Sequence, residues 1–187
     1  MTNELNLNNY YEEYSNKINP EWLFKKLELA KNKILETKKN GGKLIFAGNG
    51  ASAAIASHCA LDFTKQAKIK SVTFHDPALF TAFVNDFGDD QWISQACEMY
   101  ANPDDLAIFI SVSGESSNVV NAARSLSKRG IETITFSGKF EHNSISKEGV
   151  INFWVDSHAY NIVECIHMIW ITSIIDMIIG KSEYEVS

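Results

Sequence analysis

The chain contains a set of short, largely apolar segments that constrain its fold more than any other feature. Five of them have the length of strands: Lys43–Ala47, Ser71–His75, Leu106–Ser111, Glu132–Phe136 and Asn152–Val155. Most are separated by segments whose apolar residues recur at helical spacing. Strands that are apolar on both faces belong in a parallel sheet between two layers of helices. The sequence therefore predicts a five-stranded parallel sheet, doubly wound into a three-layer αβα sandwich of the α/β class.

Helices are predicted around these strands from capping residues and apolar spacing. The first is predicted to begin with Asn19 as N-cap and Pro20 in the first turn, and to end at Gly41 and Gly42. The other predicted helices are 53–66, 79–85, 91–100, 117–128 and 161–179. Val84–Gly88 is predicted to be a loop with an amide and a carboxylate side by side.

Length, charge and apolar content limit the classes of partner. The 187 residues correspond to about one domain, and we predict an N-terminal arm over 1–18 and a single domain over 19–187. A formal net charge of -6 gives no broad electropositive surface, so we predict no nucleic-acid partner. The most apolar run, Cys165–Ile179, is too short and too interrupted to span a bilayer. With three scattered cysteines and no signal peptide, we expect a cytoplasmic protein with free thiols.

Two turns that follow predicted strands, Gly48–Ser52 and Ser111–Ser116, are rich in glycine and serine. Both join the carboxyl end of a strand to the start of a helix, which is where ligands bind in sheets of this type. Glycine lets the backbone approach a ligand, and helix-start amides and hydroxyl groups donate to an anion. The spacing matches neither a P-loop nor a dinucleotide fingerprint. The turns predict a phosphate cradle without a lysine; alternatively, these residues only cap helices and close tight turns.

Two helices carry polar side chains that bear on this cradle. His58 and Asp62 are four residues apart and share one face of the helix after the first turn. Glu164 and His167 lie in an apolar stretch of the last helix, so Glu164 needs a donor, a cation or an assembly interface. Alternatively, His58 and Asp62 form an ordinary helix pair without chemistry, and His167 is a histidine of the core.

In their order along the chain, these motifs resemble the sugar isomerase (SIS) domain family, and within it the sedoheptulose 7-phosphate isomerases, also called phosphoheptose isomerases. The motifs are the two turns, the pair His58 and Asp62, Asn85–Gly88 and Glu164–His167, and the resemblance extends over 22–179. It implies a flavodoxin-like domain assembled as a homotetramer with active sites at subunit interfaces. It also implies conversion of sedoheptulose 7-phosphate to a D-glycero-D-manno-heptose 7-phosphate, for the heptose of lipopolysaccharide or capsule.

The resemblance assigns roles to individual residues. The residues implied to contact the sugar or its phosphate are Asn49, Gly50, Ala51, Ser52, Asn85, Asp86, Ser111, Val112, Ser113 and Ser116. His58, Asp62 and Glu164 fall on three of the family's four zinc-ligand positions. Asp62 also falls on the position of the glutamate that moves a proton between C1 and C2 of the sugar.

The sequence departs from the family at the positions that carry its chemistry. The catalytic glutamate is the shorter Asp62, the glutamine ligand is Glu164, and an aspartate is Asn161. The histidine that the family uses as metal ligand and general acid is Thr172, which is a poor zinc ligand and does not titrate near neutral pH. In the first turn, Ala51 replaces a glycine.

These departures leave two interpretations of the function. In the first, the chain is an isomerase with an altered site in which Asp62 and Glu164 divide the acid and base roles. In the second, it is a non-catalytic SIS-domain protein that binds a sugar phosphate or a protein partner. A divalent metal, zinc or another, held by His58, Asp62 and Glu164, is predicted to bind weakly or not at all. No organic cofactor is predicted.

Overall fold

A computed structural model describes residues 5–183 of the chain. The helices are α1 (Leu7–Lys17), α2 (Leu23–Lys39), α3 (Ala51–Lys65), α4 (Pro77–Phe87), α5 (Trp92–Tyr100), α6 (Ser117–Lys128) and α7 (Tyr160–Ile179). The strands are β1 (Leu44–Gly48), β2 (Ser71–Thr73), β3 (Leu106–Ser111), β4 (Thr133–Ser137) and β5 (Ile151–Trp154). A short 3-10 turn, Ile145–Lys147, precedes β5.

The five strands form one parallel sheet in the order β2-β1-β3-β4-β5. Every residue of β1, β3 and β4 is buried, as expected for central strands covered on both faces. This order is that of the flavodoxin-like sheets, in which β1 and β3 lie at the point where the order of the strands along the sheet reverses. The predicted αβα sandwich is therefore confirmed.

Side chains of the central strands alternate between two apolar cores. Phe46 and Ile108 point to the layer formed by α2, α3 and α7. Ile45 and Phe109 point to the opposite layer, formed by α4, α5 and α6. The two cores explain why the strand segments carry apolar residues at consecutive positions.

The last helix, α7, has the length and hydropathy that would allow it to cross a membrane. In the fold, however, it is a core helix: Ile166, Trp170 and Ile174 are buried against the sheet and α2. A helix buried in the core of a globular domain can have the same length and apolar composition as a helix that spans a membrane. The apolar sequence of α7 thus follows from its position inside the domain.

The start of α2 differs from the prediction made on Asn19 and Pro20. The helix begins at Leu23, and the residues before it form a turn in which the Leu23 amide donates to the Pro20 carbonyl oxygen at 2.9 Å. Trp22 is the N-cap, without a side-chain cap bond. The Asn-Pro pair therefore starts a turn rather than the helix, while the end of the helix at Gly41 and Gly42 is as predicted.

The loop predicted over Val84–Gly88 is wrong, because these residues form the last turn of α4 and its C-cap. The Gly88 amide donates to the Val84 carbonyl oxygen at 2.9 Å. The helix begins at Pro77, after Asp76, whose carboxylate accepts from two amides of the first turn. This capping signal lies in the sequence and predicts a longer helix than 79–85.

The N-terminal helix α1 lies against the connection between β5 and α7. The Tyr14 hydroxyl donates to the Asn161 carbonyl oxygen at 3.3 Å, and the Ser157 hydroxyl donates to the Glu13 carboxylate at 2.9 Å. Lys17 donates to the carbonyl oxygen of Asp156. Within the predicted arm, residues 5–18 thus include a helix that packs on the domain, and residues 1–4 lie outside the described residues.

A fully buried histidine, His167, lies between α7 and the sheet. Its Nε2–H donates to the Ser137 carbonyl oxygen at 3.0 Å, and its ring packs against Phe136 and Trp170. Its Nδ1 has no hydrogen-bond partner among the described residues. Burial in this apolar setting lowers the pKa of His167 to about 4, so the ring is neutral in the folded protein.

We expect His167 to make the stability of the protein dependent on pH. Its pKa is about 4 in the folded state against 6.5 for a free side chain, so between these values the unfolded state binds more protons. The free energy of unfolding should therefore decrease as the pH falls from 6.5 to 4, by up to roughly 3 kcal/mol. Urea unfolding at a series of pH values measures this.

The matched variant is His167→Gln, which keeps a donor for the Ser137 carbonyl oxygen but does not titrate. Its unfolding free energy should decrease less between pH 6.5 and 4 than that of the wild type. Equal pH dependence in the two proteins would show that His167 is not the group responsible.

Candidate functional site

A small cavity lies where β1 and β3 end and α3, α6 and α7 begin. Its volume is about 90 Å³. The lining residues are Asn49, Ser52, Ser111, Val112, Ser113, Ser116, Tyr160 and Glu164. The fold thus brings together parts of both predicted turns and one acidic residue of the last helix, at the carboxyl edge of a parallel sheet where ligands bind.

The first turn depends on the close approach of β1 to its neighbours. A Cβ atom on Gly48 would lie 2.9 Å from the Ile110 carbonyl oxygen and 2.8 Å from the Ser52 Cβ, so no larger residue fits. Gly50 has a φ of 55°, a left-handed conformation that glycine adopts readily. Helix α3 begins at Ala51, so Ser52 places a hydroxyl in a first turn whose amides lack intrahelical acceptors.

The second turn presents serine hydroxyls ahead of α6. Ser111 ends β3, and its hydroxyl donates to the Ser116 hydroxyl at 3.1 Å. Ser116 is the N-cap of α6 but makes no side-chain cap bond. Gly114 has a φ of 68° and packs so closely on Asn143 that a Cβ would lie 2.2 Å from its Cγ. The turn therefore has a fixed shape that orients its hydroxyl groups.

Outside the cavity, Glu115 links the second turn to the segment that contains Ser144. Its carboxylate accepts from the Ser144 amide at 2.8 Å and the Ser144 hydroxyl at 2.6 Å. These two bonds hold the pKa of Glu115 below its usual value, because they stabilise the charged form. Glu115 is therefore a structural anchor of the turn.

A pair of amides joins the two turns. The Asn49 side-chain nitrogen donates to the Asn118 side-chain oxygen, and the Asn118 nitrogen donates back to the Asn49 oxygen, each at 2.9 Å. The Asn118 oxygen also accepts from the Val119 amide. The sequence shows Asn118 in the first turn of a helix but gives no sign of this bridge, which links residues 69 positions apart.

His75, for which the sequence predicts no role, supports the first turn from the side of β2. Its Nε2–H donates to the Gly48 carbonyl oxygen at 3.1 Å, and its Nδ1 accepts from the hydroxyls of Ser57 and Thr73. Desolvation lowers the pKa of His75, which favours the neutral ring that this pattern requires. No local motif predicts this contact, because it depends on how β2 pairs with β1.

Glu164 supplies the carboxyl group of the cavity. It lies one turn into α7, next to the serine hydroxyls of the second turn. Partial burial raises its pKa above the usual value for glutamate, because desolvation disfavours the charged form. A carboxyl group tuned in this direction is better suited to exchange protons near neutral pH than an exposed glutamate.

His58 and Asp62 lie together but outside the lining of the cavity. The His58 Nε2 is 3.0 Å from the Asp62 Oδ2, and the imidazole is half exposed while the carboxylate is mostly buried. Asp62 also lies close to Asp176 of α7, whose pKa is raised by desolvation and by the charge of Asp62. The predicted helix-face pair therefore exists, and within one chain it is separate from the cavity.

The donors for the predicted metal do not form a set within the described chain. Among residues 5–183, no group of three or more His, Cys, Asp and Glu side chains is arranged to hold a metal ion, although zinc sites use three or four protein ligands. Glu164 thus does not join His58 and Asp62. The Thr172 hydroxyl donates to the Met168 carbonyl oxygen of its own helix at 2.9 Å. The residues of a single chain therefore do not fit a family-like zinc site.

Other predicted site residues also lie outside the cavity. Asn85 and Asp86 are on the exposed last turn of α4, where the Asn85 amide donates to the Asp86 carboxylate at 2.9 Å. Gly50 and Ala51 are exposed at the start of α3. Their roles toward a ligand stay predictions, since the single chain does not bring them to the cavity lining.

Comparisons with known proteins place this architecture in a family. Residues 9–138 match the SIS domain family. A phosphoheptose isomerase of Campylobacter concisus is 39% identical over 119 residues, which cover 60% of this chain and 63% of that protein. The matched region therefore spans less than two thirds of the length of this curated relative.

Solved structures share the fold. The phosphoheptose isomerase of Neisseria gonorrhoeae superposes with a TM-score of 0.78 at 27% identity, covering 83% of this chain and 87% of that one. The sugar isomerase domain of an RpiR transcription factor from Sphaerobacter thermophilus gives a TM-score of 0.61 at 16% identity, covering 89% and 82%, and shows similarity of fold alone. Since the family match extends over well over half of the sequence, the chain belongs to the SIS domain family.

Proposed function

We propose that the chain is a sedoheptulose 7-phosphate isomerase-like enzyme that interconverts a ketoheptose phosphate and a D-glycero-D-manno-heptose 7-phosphate. The observation that carries the proposal is a cavity lined by serine hydroxyls beside a carboxyl group with a raised pKa. The names of the similar isomerases support it. In this proposal the enzyme is cytoplasmic and supplies heptose for lipopolysaccharide or capsule.

The serine-rich end of the cavity is the proposed phosphate site. Four hydroxyl groups line it, those of Ser52, Ser111, Ser113 and Ser116. The cavity also lies at the start of α3 and α6, where free amides and the helix dipole favour an anion. The sugar would extend from this end toward Glu164.

The proposed reaction transfers a proton between C1 and C2 through an enediol. A base removes a proton from C1 while the C2 carbonyl oxygen is protonated; C2 is then protonated, and the C1 hydroxyl loses its proton to become the aldehyde. One group must carry the carbon-bound proton, and another must serve the oxygens. In this proposal Glu164 and Asp62 divide these two roles. Glu164 lies in the cavity, and Asp62 is paired with His58.

The position of Asp62 outside the cavity lining connects the mechanism with assembly. The family resemblance implies a homotetramer with active sites between subunits. In such an arrangement the half-exposed His58 and its partner Asp62 of one chain would approach the cavity of another. We therefore include the homotetramer in the proposal.

The second candidate function is a non-catalytic SIS-domain protein that binds a sugar phosphate or a protein partner. The observation that favours it is Thr172, whose hydroxyl donates to the backbone of its own helix. At this position the resemblance to the phosphoheptose isomerases implies a histidine that acts as general acid. The two candidates agree on sugar-phosphate binding and differ in turnover.

The proposal predicts turnover of sedoheptulose 7-phosphate that depends on Glu164. Glu164→Gln keeps the shape of the side chain but removes the proton acceptor, so kcat should fall on the order of a hundredfold or more. The affinity for the sugar phosphate, measured by calorimetry, should change little. Cys165→Ser, at the exposed neighbouring position, is the matched control and should retain activity.

Two outcomes would contradict the enzyme proposal. Wild-type protein that binds the sugar phosphate but never isomerises it, even at high enzyme concentration, would favour the binding module. Full turnover by Glu164→Gln would remove Glu164 from the chemistry and leave the function to other residues.

A second prediction concerns the shape of the phosphate turn. In Gly114→Ala the new Cβ would meet Asn143 at 2.2 Å, so the turn must shift and the affinity for sugar phosphate should fall about tenfold or more. Gly130→Ala is the control, because Gly130 has a similar φ of 75° but open space around it, at the far end of α6. Equal affinities in the two variants would contradict the placement of the phosphate at this turn.

A third prediction concerns metal. His58 and Asp62 pair with each other, and residues 5–183 contain no third donor that completes a set with them. We therefore expect the purified protein to contain no stoichiometric zinc. Turnover should also survive treatment with a chelator. Activity that is lost on chelation and restored by added zinc would show that a metal site is completed on assembly.

A further inference from the structure

Tyr160 forms a wall of the cavity that lacks a positive charge. It is the first residue of α7, and it lies beside Glu164 and the serine turn. Among the described residues, the lining includes neither lysine nor arginine. A phosphate monoester carries about 1.5 to 2 negative charges at neutral pH, and Glu164 adds another when ionised. A dianionic ligand in this cavity therefore calls for a nearby counter-charge.

Lys139 provides a positive charge near the cavity, because it contacts Tyr160, which lines the cavity. Its Nζ lies 4.6 Å from the centre of the Tyr160 ring and donates to the Tyr160 hydroxyl oxygen at 3.2 Å. The ammonium group thus contacts the aromatic face and the hydroxyl of the same tyrosine. Both contacts are favourable for a cation.

The hydrogen bond from Lys139 also orients the Tyr160 hydroxyl. A phenol has one proton to donate and accepts through its oxygen. Because the ammonium occupies an acceptor position of that oxygen, the hydroxyl proton is free to point to another acceptor. Donation from a charged group also strengthens the donor character of the hydroxyl toward an anion. Tyr160, a residue of the cavity lining, therefore carries a hydroxyl that is polarised by the ammonium charge of Lys139.

The backbone holds Lys139 in place at an unfavourable conformation. Its φ is 55°, in the left-handed region where residues other than glycine are uncommon. The Lys139 amide donates to the Ser157 carbonyl oxygen, and the preceding Gly138 amide donates to the carbonyl oxygen of Val112 in the second turn, each at 2.9 Å. These two bonds fix the backbone of Lys139 beside the second turn, so its side chain starts from a defined position next to Tyr160.

We propose that Lys139, acting through Tyr160, is a positioning residue that supplies the counter-charge for the phosphate group of the ligand. This inference rests on the proposed sugar-phosphate site and adds the residues that would select phosphorylated over unphosphorylated sugars. Lys139 acts through the Tyr160 hydroxyl, so it holds the phosphate rather than taking part in proton transfer.

The test compares variants that separate charge from backbone strain. Lys139→Met removes the charge and keeps an extended side chain, Lys139→Arg keeps the charge, and Tyr160→Phe removes only the hydroxyl. Lys139→Gly removes the charge and relaxes the backbone. Lys68→Met is the matched control, because Lys68 is also a lysine with positive φ, at 54°, but it precedes β2 at the opposite edge of the sheet.

Binding is measured by calorimetry with sedoheptulose 7-phosphate, with unphosphorylated sedoheptulose and with inorganic phosphate, at low and high salt. Lys139→Met and Tyr160→Phe should weaken binding of the sugar phosphate about five- to twentyfold and barely affect the unphosphorylated sugar. Lys139→Arg should restore most of the affinity, and Lys68→Met should bind as the wild type does. The loss should be smaller at high salt, which screens the charge.

A merely structural role for Lys139 would give a different pattern. Lys139→Gly should bind the sugar phosphate weakly and yet unfold at a temperature no lower than the wild type, because its backbone strain is relieved. In the isomerase assay, Lys139→Met should raise KM and leave kcat unchanged. Parallel losses of thermal stability and affinity in Lys139→Gly would overturn the proposal.

The outcomes distinguish this inference from the proposed function. Wild-type affinity in Lys139→Met overturns the inference, while turnover by the wild type still supports the isomerase. Weakened phosphate binding in Lys139→Met without any wild-type turnover supports the inference and contradicts the isomerase. A wild-type protein that binds neither the sugar phosphate nor inorganic phosphate overturns both.

Discussion

The close contact between the ends of β1 and β3 is the interaction on which the rest of the site depends. Gly48 pairs with Ile110 across the two strands, and the absence of a side chain on Gly48 lets the following turn approach β3. The two turns then lie near enough for Asn49 and Asn118 to exchange hydrogen bonds. The arrangement is preorganised, because strand pairing fixes the turns before any ligand binds.

The electrostatics of the cavity follow from this backbone framework. Hydroxyl groups and helix starts provide neutral donors, and Glu164 provides a carboxyl group whose charge is disfavoured by burial. In the proposed function these neutral donors hold the phosphate, and the positive charge nearest the cavity lining is that of Lys139, which is bonded to the Tyr160 hydroxyl. The same cavity can therefore hold an anion and a titratable carboxyl group a short distance apart, as an isomerase requires.

Local sequence patterns predict the fold and the two turns that contribute to the cavity. The apolar residues of the strands predict that the strands are buried. The glycine- and serine-rich turns Gly48–Ser52 and Ser111–Ser116 predict a binding site at the carboxyl edge of the sheet. The contacts of His75 and the pair Lys139 and Tyr160 are different, because they join segments that are adjacent only after the sheet has formed. The prediction at Val84–Gly88 is wrong for a local reason: Asp76 and Pro77 start α4 early, and the helix continues through Phe87 to its cap at Gly88.

The position of Glu164 relative to His58 and Asp62 could not be read from spacing. These residues lie on α3 and α7, and the rotation and crossing of two helices depend on the whole core. Periodicity shows which residues share a helix face; it does not show which residues of two helices face one cavity.

The docking of α1 makes this helix part of the surroundings of the cavity. Tyr14 and Glu13 bond to Asn161 and Ser157, on either side of the tyrosine that lines the cavity. Helix α1 thus helps to fix the position of the start of α7. Changes in α1 that break these contacts would therefore shift the start of α7 and, with it, the lining of the cavity.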